Sequence, residues 1–348
     1  DQVATDLRMW VRERAQEIDT LIATLIGALA DFAERSISIA IPAYTHLQRA
    51  QPVLLSHHVL AWAEMLVRDR ERFRFAREQA DACPLGSGAC AGNQFGIDRD
   101  LLARRLGFSR ITRNSLDAVS DRDFACDFLH AATLLLVHIS RMSEDLILWS
   151  SSEFGFVILD DSVASGSSML PQKKNPDACE LGRGKCGRVL GHLVGLVTTL
   201  KGLPLSYNKD LQEDKEALFD AVDTVSLLLP VFTGLFRTLR VREDRAKASL
   251  DGGFLEALGI ADYLTRRGVP FRQAHAVAGK AVREAESREC GLLDLSLETY
   301  RDLHPAFDED LWEEASLSRA IEDKTVVGGT APVRVREEIE RLRGMIAS

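Results

Sequence analysis

The chain has 348 residues, of which 46% are hydrophobic and 27% are charged. These shares are close to the averages for soluble globular domains, and they exclude a wholly disordered chain. The formal net charge of −9 argues against a nucleic acid or an anionic membrane as the main partner, because both repel an acidic surface. No run of about 18 apolar residues occurs, so the sequence predicts no membrane-spanning segment.

The six cysteines are widely spaced and form no C-x-x-C pair, which argues against a disulfide framework or a zinc knuckle. Free thiols in a reducing compartment, the cytoplasm, are the better interpretation. The chain opens at Asp1 inside a helical pattern, without Met and without a capping signal. We therefore expect a further segment upstream.

Long periodic stretches predict a bundle of helices. Apolar residues step by four and three over 7–32, which is typical of one face of a helix. The same stepping returns over 55–76 and, after a glycine-rich loop at 83–96, over 120–149. Ser120 and Asp123 resemble a capping box at the start of this third helix.

A fourth helix is predicted to begin at Pro176, since Pro suits the first helical position. Its glycines Gly187, Gly191 and Gly195 fall on one face, a spacing that permits close helix contact. A fifth helix is predicted over 218–239, with a kink at Pro230. No convincing period-2 stretch competes, so the predicted fold class is all-α, a long up-and-down helical bundle.

The composition shifts near residue 250, after which the predicted helices are shorter and are interrupted by Gly and Pro. We therefore predict a central bundle domain at 1–249 and a small C-terminal helical domain at 250–348. Helices of about 30 residues are about 45 Å long. Since connections in such a bundle alternate between its ends, we expect segments 42–52 and 152–176 at one end and 202–214 at the other.

The loop at 165–177 is the most informative stretch of the sequence. It places hydroxyls, two lysines and an amide directly before a predicted helix start, a combination that receives an anion and stabilises negative charge. From composition alone, a solvated loop ending in a helix cap is an equally good interpretation.

Within this loop, the string GSSMLPQKKNPD resembles the signature loop of the fumarase/aspartase superfamily, and its QKKNPD part is similar to argininosuccinate lyases and their crystallin relatives. Further similar segments lie at 44–52, 92–98, 115–124, 203–215 and 269–275. The resemblance therefore covers the chain from end to end. It implies a lyase that cleaves argininosuccinate to arginine and fumarate by β-elimination, in arginine biosynthesis, with no metal or organic cofactor.

Carried over position by position, the resemblance implies nine site residues. The implied catalytic residues are Ser167, His46, Glu180 and Lys173. The implied substrate-binding residues are Thr45, Asn175, Tyr207, Gln212 and Lys215.

The expected chemistry suits these residue types. Removing a proton beside a carboxylate builds a second negative charge, which Lys173, Asn175 and the helix start would stabilise. Ser167 matches the family's proposed base, and a serine hydroxyl acts so only where cations and amide donors lower its pKa strongly. A pair of His46 with Glu180 would fix the tautomer of the imidazole.

Each of these residues also has a structural alternative. Glu180 in a first helical turn can simply complement the helix dipole. His46 can be a structural histidine, and Lys215 can be a surface lysine. The adjacent His57 and His58 lack a third ligand, so no metal site is predicted there.

Thr45, His46 and the 167–175 loop are expected about 40 Å from the 207–215 segment, too far apart for one chain to assemble them. Antiparallel association would bring opposite ends together. The resemblance likewise implies a homotetramer in which each site draws residues from three subunits.

The family also carries an N-terminal domain of about a hundred residues, an ordinary domain size, that helps to bind substrate and that this sequence lacks. The activity of the chain as given is expected to depend on that domain. Two other functions remain open: a sister lyase acting on adenylosuccinate, aspartate or another succinyl compound, and a non-catalytic structural protein like the crystallins.

Overall fold

The computed structural model describes residues 1–347, and α-helices account for most of this part of the chain. In chain order the helices are α1 (Gln2–Arg35), α2 (Leu55–Ala80), α3 (Arg99–Arg105), α4 (Ser115–Ser120), α5 (Asp123–Ser150), α6 (Asp177–Leu200), α7 (Glu213–Thr238), α8 (Glu243–Ala248), α9 (Ala257–Arg266), α10 (Phe271–Ser287), α11 (Leu297–Leu303), α12 (Leu311–Glu314), α13 (Leu317–Glu322) and α14 (Pro332–Ala347). The strands are β1 (Ala40–Thr45), β2 (Gln48–Leu54), β3 (Ala82–Cys83), β4 (Arg110–Ile111), β5 (Val157–Ile158), β6 (Ser165–Gly166), β7 (Lys174–Asn175) and β8 (Arg240–Val241). The predicted all-α fold class is confirmed, with strands limited to short pairs.

The chain forms two compact units. The first comprises Asp1–Leu29, Trp62–Ser151 and Leu159–Arg240. The second comprises Ala30–Ala61, Ser152–Ile158 and the residues from Val241 onward. These units are not separated at a single point of the chain, and the predicted division into 1–249 and 250–348 stays a prediction.

Long helices supply the core of the first unit. On α1, residues Val11, Ile18, Ile22, Leu25 and Leu29 are fully buried, in the predicted steps of four and three. Helix α5 packs against α6 and α7, and aromatic rings fill the space between helices. The predicted helix bundle is confirmed, because its buried side chains are those that the periodicity places on one face.

Two helical segments of the first unit, Asp123–Ser150 and Lys209–Thr238, are long and apolar enough by composition to cross a membrane. In the most apolar 18-residue stretch of each segment, 61% of the first and 56% of the second is buried inside the structure. Burial in the helix bundle accounts for the apolar character of both segments, since core helices of soluble proteins have the same composition.

The start of α5 differs from the prediction. Ser120 ends α4, and Arg122 occupies the N-cap of α5 without a side-chain cap, so the predicted capping box of Ser120 and Asp123 is wrong. The carboxylate of Asp121 instead accepts a hydrogen bond from the backbone N–H of Asp123 at 2.8 Å. The predicted start of α6 is confirmed, because the helix begins directly after Pro176.

An antiparallel hairpin of β1 and β2 occupies the segment that we expected to be an irregular connection. The strands pair Pro42 with Pro52 and Thr45 with Gln48, and the register shifts between Pro42 and Tyr44. Buried and exposed residues do not alternate along either strand, and this is why the sequence predicted no strand here. The hairpin belongs to the second unit.

The core of the second unit is built around two tyrosines of α9 and α11. Tyr263 stacks on Phe307 with ring centroids 5.7 Å apart, and its hydroxyl donates to Asp310 Oδ1 at 2.6 Å. The hydroxyl of Tyr300 donates to the carbonyl of Leu292 at 2.7 Å. Both buried hydroxyls are thereby satisfied, as apolar surroundings require.

Two kinds of glycine occur along α6. A Cβ added at Gly187, Gly191 or Gly195 meets nothing within 4 Å, so the close helix contact that their spacing permits is not made within the described residues. Gly182 differs, because a Cβ there would lie 2.9 Å from two ring carbons of Phe232. Among these glycines of α6, Gly182 is therefore the one that packing requires.

We therefore expect Gly182→Ala to lower the free energy of unfolding by about 1–3 kcal/mol, the usual range for overpacking a core. The ring of Phe232 is fully buried, and the added Cβ would also lie 3.3 Å from Ser143 Oγ. Gly344→Ala is the matched control, since a Cβ there in α14 meets nothing within 4 Å. Urea unfolding followed by circular dichroism measures both variants, and equal losses of stability would contradict the prediction.

Candidate active site

The hairpin of β1 and β2 presents Thr45 and His46 at its tip. Its two-residue turn is His46-Leu47, and both residues have φ of +56°. Such turns usually contain Asn or Gly, because positive φ places the Cβ of other residues under strain. Thr45 and His46 are exposed. The turn therefore projects the His46 imidazole into solvent from a fixed and strained backbone.

Residues next to the turn tie the hairpin to the rest of the second unit. The ring of Tyr44 meets that of Phe154 edge-on with centroids 5.4 Å apart. Arg49, which pairs with Tyr44 across the hairpin, donates from Nη1 to the carbonyl of Asp251 at 2.9 Å. Tyr44, Arg49 and Phe154 border a cavity of about 620 Å³. Burial raises the pKa of Tyr44, so that its phenol stays neutral.

The signature loop is closed at its base by a second hairpin. Strands β6 and β7 pair Ser165 with Asn175 and Gly166 with Lys174. The next rung joins the N–H of Ser167 to the carbonyl of Lys173 at 3.3 Å. Ser167 and Lys173 therefore lie opposite each other where the loop leaves the strands.

Backbone amides point at the hydroxyl of Ser167. Its Oγ accepts hydrogen bonds from the N–H of Leu170 at 3.0 Å and of Met169 at 3.3 Å. Amide donors of this kind stabilise negative charge on the oxygen that they contact. The arrangement favours the alkoxide form that a serine base requires. Composition alone does not reveal these contacts, because they depend on the conformation of the loop.

The two adjacent lysines of the loop have different roles. Lys174 donates from Nζ to the carbonyl of Leu159 at 2.6 Å and to Asp161 Oδ1 at 2.5 Å, and so anchors the loop. Lys173 is exposed, and its ammonium has no hydrogen-bond or ion-pair partner within residues 1–347. Of the pair, Lys173 is therefore the cation available to a ligand. The sequence analysis selected Lys173 but missed the anchoring role of Lys174.

Asn175 and Glu180 lie at the start of α6. Asn175 is half-buried in β7, and Glu180 is an exposed residue of the first helical turn. The backbone N–H groups of Cys179 and Glu180 both donate to the carbonyl of Pro176 at 3.0 Å. Glu180 and His46 belong to different compact units, so their predicted pairing stays a prediction.

The segment before α7 carries the remaining predicted residues. Tyr207 and Gln212 are exposed, and Ser206 before them has φ of +72°. Leu211 is buried between them and fixes the 3-10 turn Lys209–Gln212. Tyr207 and Gln212 thus extend into solvent from an anchored turn.

Lys215, in the first turn of α7, is half-buried and already holds partners. Its Nζ donates to Asp214 Oδ1 at 2.5 Å and contacts the carbonyl of Leu211 at 3.4 Å. Asp214 in turn accepts from Arg122 Nε at 2.6 Å, and both of these side chains are fully buried. The sequence analysis missed Asp214 and Arg122. The one signal was their position inside two of the segments that resemble the family, 203–215 and 115–124.

Helix α6 separates two groups of predicted site residues within the first unit. The loop 167–175 precedes its first residue, Asp177, and the segment 207–215 follows its last residue, Leu200. A helix of 24 residues is about 36 Å long. The structure therefore does not bring these two groups together in one chain.

No group of three or more His, Cys, Asp or Glu side chains is arranged to hold a metal ion in the part of the chain that the structure describes. The nearest thiol to the signature loop in sequence, Cys179, is fully buried, and burial raises its pKa to about 12. A thiol with so high a pKa is a poor nucleophile at neutral pH. The chemistry available at this end of α6 is that of Ser167, Lys173, Asn175 and the helix start.

We expect Lys174→Met to loosen the loop, because the ammonium is its link to Leu159 and Asp161. Amide exchange of residues 165–175 should accelerate by about tenfold, as for a segment that has lost its anchor. Lys173→Met is the matched control and should leave exchange unchanged. Hydrogen–deuterium exchange with mass spectrometry measures both, and similar rates for the two variants would contradict the assignment.

Comparison with known proteins matches both ends of the chain. A family model described as Lyase matches residues 1–191, and one described as Argininosuccinate lyase C-terminal matches residues 254–322. Argininosuccinate lyase of Pelotomaculum thermopropionicum is 52% identical over 343 residues, which are 99% of this chain and 75% of that protein. Argininosuccinate lyase of Moorella thermoacetica is 50% identical over 347 residues, which are 100% of this chain and 75% of that protein.

Solved structures agree on the fold. EDDS lyase in complex with formate superposes with a TM-score of 0.90 at 25% identity, covering 99% of this chain and 71% of that one. Class II fumarase from Schistosoma mansoni has a TM-score of 0.76 at 15% identity, covering 90% of this chain and 68% of that one, and this likeness concerns the fold alone. With identities near half over almost its whole length, the chain belongs to the argininosuccinate lyase family of carbon–nitrogen lyases.

Proposed function

We propose that the protein cleaves argininosuccinate to arginine and fumarate, and that Ser167 is the base. The observation that carries the proposal is the geometry of the loop. Two backbone amides donate to Ser167 Oγ, and Lys173, whose backbone faces that of Ser167, has no ion-pair partner within residues 1–347. Family membership supports the choice of substrate.

The proposed reaction is a β-elimination. A base takes the proton from the carbon next to a carboxylate of the succinyl group, and the electron pair of that bond forms the C=C bond of fumarate. The C–N bond breaks, and the guanidino nitrogen leaves with its electron pair and takes up a proton to give arginine. Negative charge accumulates on the carboxylate in the transition state, so the most effective help is fixed positive charge placed there beforehand.

The residues of the loop suit these demands. Lys173, Asn175 and the N-terminal amides of α6 would stabilise the doubly charged carboxylate. His46, with Glu180 as its orienting partner, would handle a proton near neutrality. No step needs a metal or an organic cofactor, since side chains and backbone dipoles supply the positive charge.

The amino-acid half of the substrate would lie on Tyr207, Gln212 and Lys215, with Thr45 from the hairpin. An ammonium, an amide and a phenol together recognise an α-carboxylate and an α-amino group by charge and hydrogen bonding. Lys215 is the only cation among these four side chains, so it would bind the α-carboxylate of the substrate.

We further propose a homotetramer with sites shared between subunits. The length of α6 keeps Ser167 and Lys215 about 36 Å apart in one chain, so a second chain running antiparallel must supply one of them. Helix α6 also exposes an apolar face that a second chain can cover. Leu190, Val194 and Val197 are exposed there, next to the glycines whose added Cβ would meet nothing within 4 Å. Faces of this kind on a helix are typical of helix–helix interfaces. The six cysteines, all free thiols, support a place in the cytoplasm.

The proposal is tested by following the ultraviolet absorbance of fumarate with argininosuccinate, adenylosuccinate and aspartate supplied side by side to the full-length protein. We expect fumarate from argininosuccinate alone. Release from another of the three would assign a sister activity, and release from none would favour a structural protein. Ser167→Ala should keep the fold and lower kcat by at least about a hundredfold, the usual contribution of a general base.

Mixed tetramers test the shared site. Ser167→Ala and Lys215→Met each remove one group of the proposed site, so each homotetramer should keep only about one hundredth of the wild-type turnover. After joint unfolding and refolding in equal amounts, about one quarter of the sites should draw both intact residues from different chains. Recovered turnover is therefore expected near that fraction, and each variant refolded alone is the control. If both residues came from one chain, no mixture would regain activity.

A further inference from the structure

Lys215 has only one N–H left for a ligand. An ammonium has three donors. One is directed at Asp214 Oδ1 and a second at the carbonyl of Leu211, at 2.5 and 3.4 Å. Both acceptors belong to this chain and hold the ammonium in one orientation. The direction of the third N–H therefore depends on the position of Asp214.

Asp214 by itself would cancel the charge of Lys215. Arg122 prevents this, because its Nε donates to the other carboxylate oxygen of Asp214 at 2.6 Å. The side chains of Asp214 and Arg122 are both fully buried, whereas that of Lys215 is 31% exposed. The three groups together carry one net positive charge, and it is located at the only member that reaches solvent.

Arg122 is itself held by the corner between α4 and α5. Its Nη1 donates to the carbonyl of Asp121 at 2.7 Å, and Arg8 of α1 forms an ion pair with the carboxylate of Asp121. The position of Asp214 in α7 therefore depends also on α1 and on the corner between α4 and α5.

We propose that Asp214 and Arg122 are positioning residues for substrate binding. Asp214 holds the Lys215 ammonium toward the α-carboxylate of the amino-acid half of the substrate, and Arg122 neutralises Asp214 so that Lys215 keeps its charge for that ligand. This inference rests on the proposed function, which assigns Lys215 to the substrate. It adds that two buried residues outside the site determine the strength of this contact.

The alternative is that Arg122 and Asp214 are only a structural ion pair. Removing one partner does not separate the two explanations, since an unpaired buried charge destabilises any fold. Replacing both partners with apolar residues avoids this problem, because such exchanges are often neutral for stability. The informative variant is therefore the double exchange Asp214→Val with Arg122→Met.

A matched control exists in the same unit. Asp19 of α1 and Arg70 of α2 form a buried pair with Nε to Oδ1 at 2.6 Å and Nη2 to Oδ2 at 3.2 Å. Their side chains are 8% and 9% exposed, and neither residue belongs to the predicted site. The double exchange Asp19→Val with Arg70→Met removes the same kind of buried pair from another place.

In the full-length enzyme, we expect the Asp214/Arg122 double variant to raise KM for argininosuccinate by about tenfold, the effect of weakening one charge-assisted hydrogen bond. The value of kcat should stay within about threefold, and inhibition by arginine should weaken as much as KM rises, while inhibition by fumarate stays unchanged. The Asp19/Arg70 control should keep all four quantities. Lys215→Met added to the double variant should give no more loss than Lys215→Met alone, since the residues act through that lysine.

Circular dichroism and native mass first establish that each variant is folded and assembled. If the double variant does not fold, the uncharged pair Asp214→Asn with Arg122→Gln replaces it, with the same pattern expected at about threefold because the amide is a weaker partner than the carboxylate. An unchanged KM, equal weakening of arginine and fumarate inhibition, or multiplied losses in the triple variant would overturn the inference. Failure of the wild-type enzyme to cleave argininosuccinate would instead overturn the proposed function.

Discussion

The length of α6 constrains everything else about the site. Its 24 residues place the start of the helix, with its positive dipole end and the loop of Ser167, about 36 Å from the segment that carries Tyr207 and Lys215. A rigid helix cannot shorten, so no motion within one chain brings Ser167, the proposed base, and Lys215, the proposed carboxylate ligand, into the same cavity. The proposed assembly follows from this distance rather than from a separate assumption about oligomers. The same helix supplies the apolar face, with its open glycines, through which chains can meet.

The two ends of α6 hold their cations in different ways. At the loop, Lys174 is bound to Leu159 and Asp161 and the neighbouring Lys173 is left unpaired in solvent. At the other end, Lys215 is held by Asp214, whose charge is balanced by a buried arginine. The difference suits the proposed roles. Lys215 is proposed to bind a carboxylate whose charge does not change in the reaction, so a fixed position favours binding. The loop of Lys173 must admit the substrate and release fumarate, so it benefits from being free to move until a neighbouring chain covers it.

The sequence predicted the parts of this structure that depend on local rules. Pro176 was predicted at the first position of α6 and lies one residue before it, at the N-cap, so the start of the helix was predicted to within one residue. The apolar steps from Leu7 to Phe32 identify the buried face of α1. The parts it did not predict depend on contacts between distant residues. Arg122 and Asp214 are 92 positions apart, so nothing in either segment indicates that they pair. The turn at His46 and Leu47 is hidden for another reason, since neither residue is of the type that positive φ favours. The anchoring role of Lys174 was missed for a similar reason, because identical side chains at adjacent positions differ only in the residues that surround them.

The exposure of the proposed catalytic groups in one chain has a physical consequence. Hydrogen bonds and charges stabilise a developing anion weakly in water and strongly where water is excluded. Lys173, Glu180 and His46 are all exposed in the single chain, so the groups are present without the surroundings that make them effective. Covering the loop with a neighbouring chain would therefore do two things at once. It would add the missing binding residues, and it would lower the local dielectric constant around the Ser167 loop and the start of α6. On this argument a separated subunit lacks activity even toward a substrate analogue that needs no contact with Lys215, because the electrostatic stabilisation itself depends on assembly.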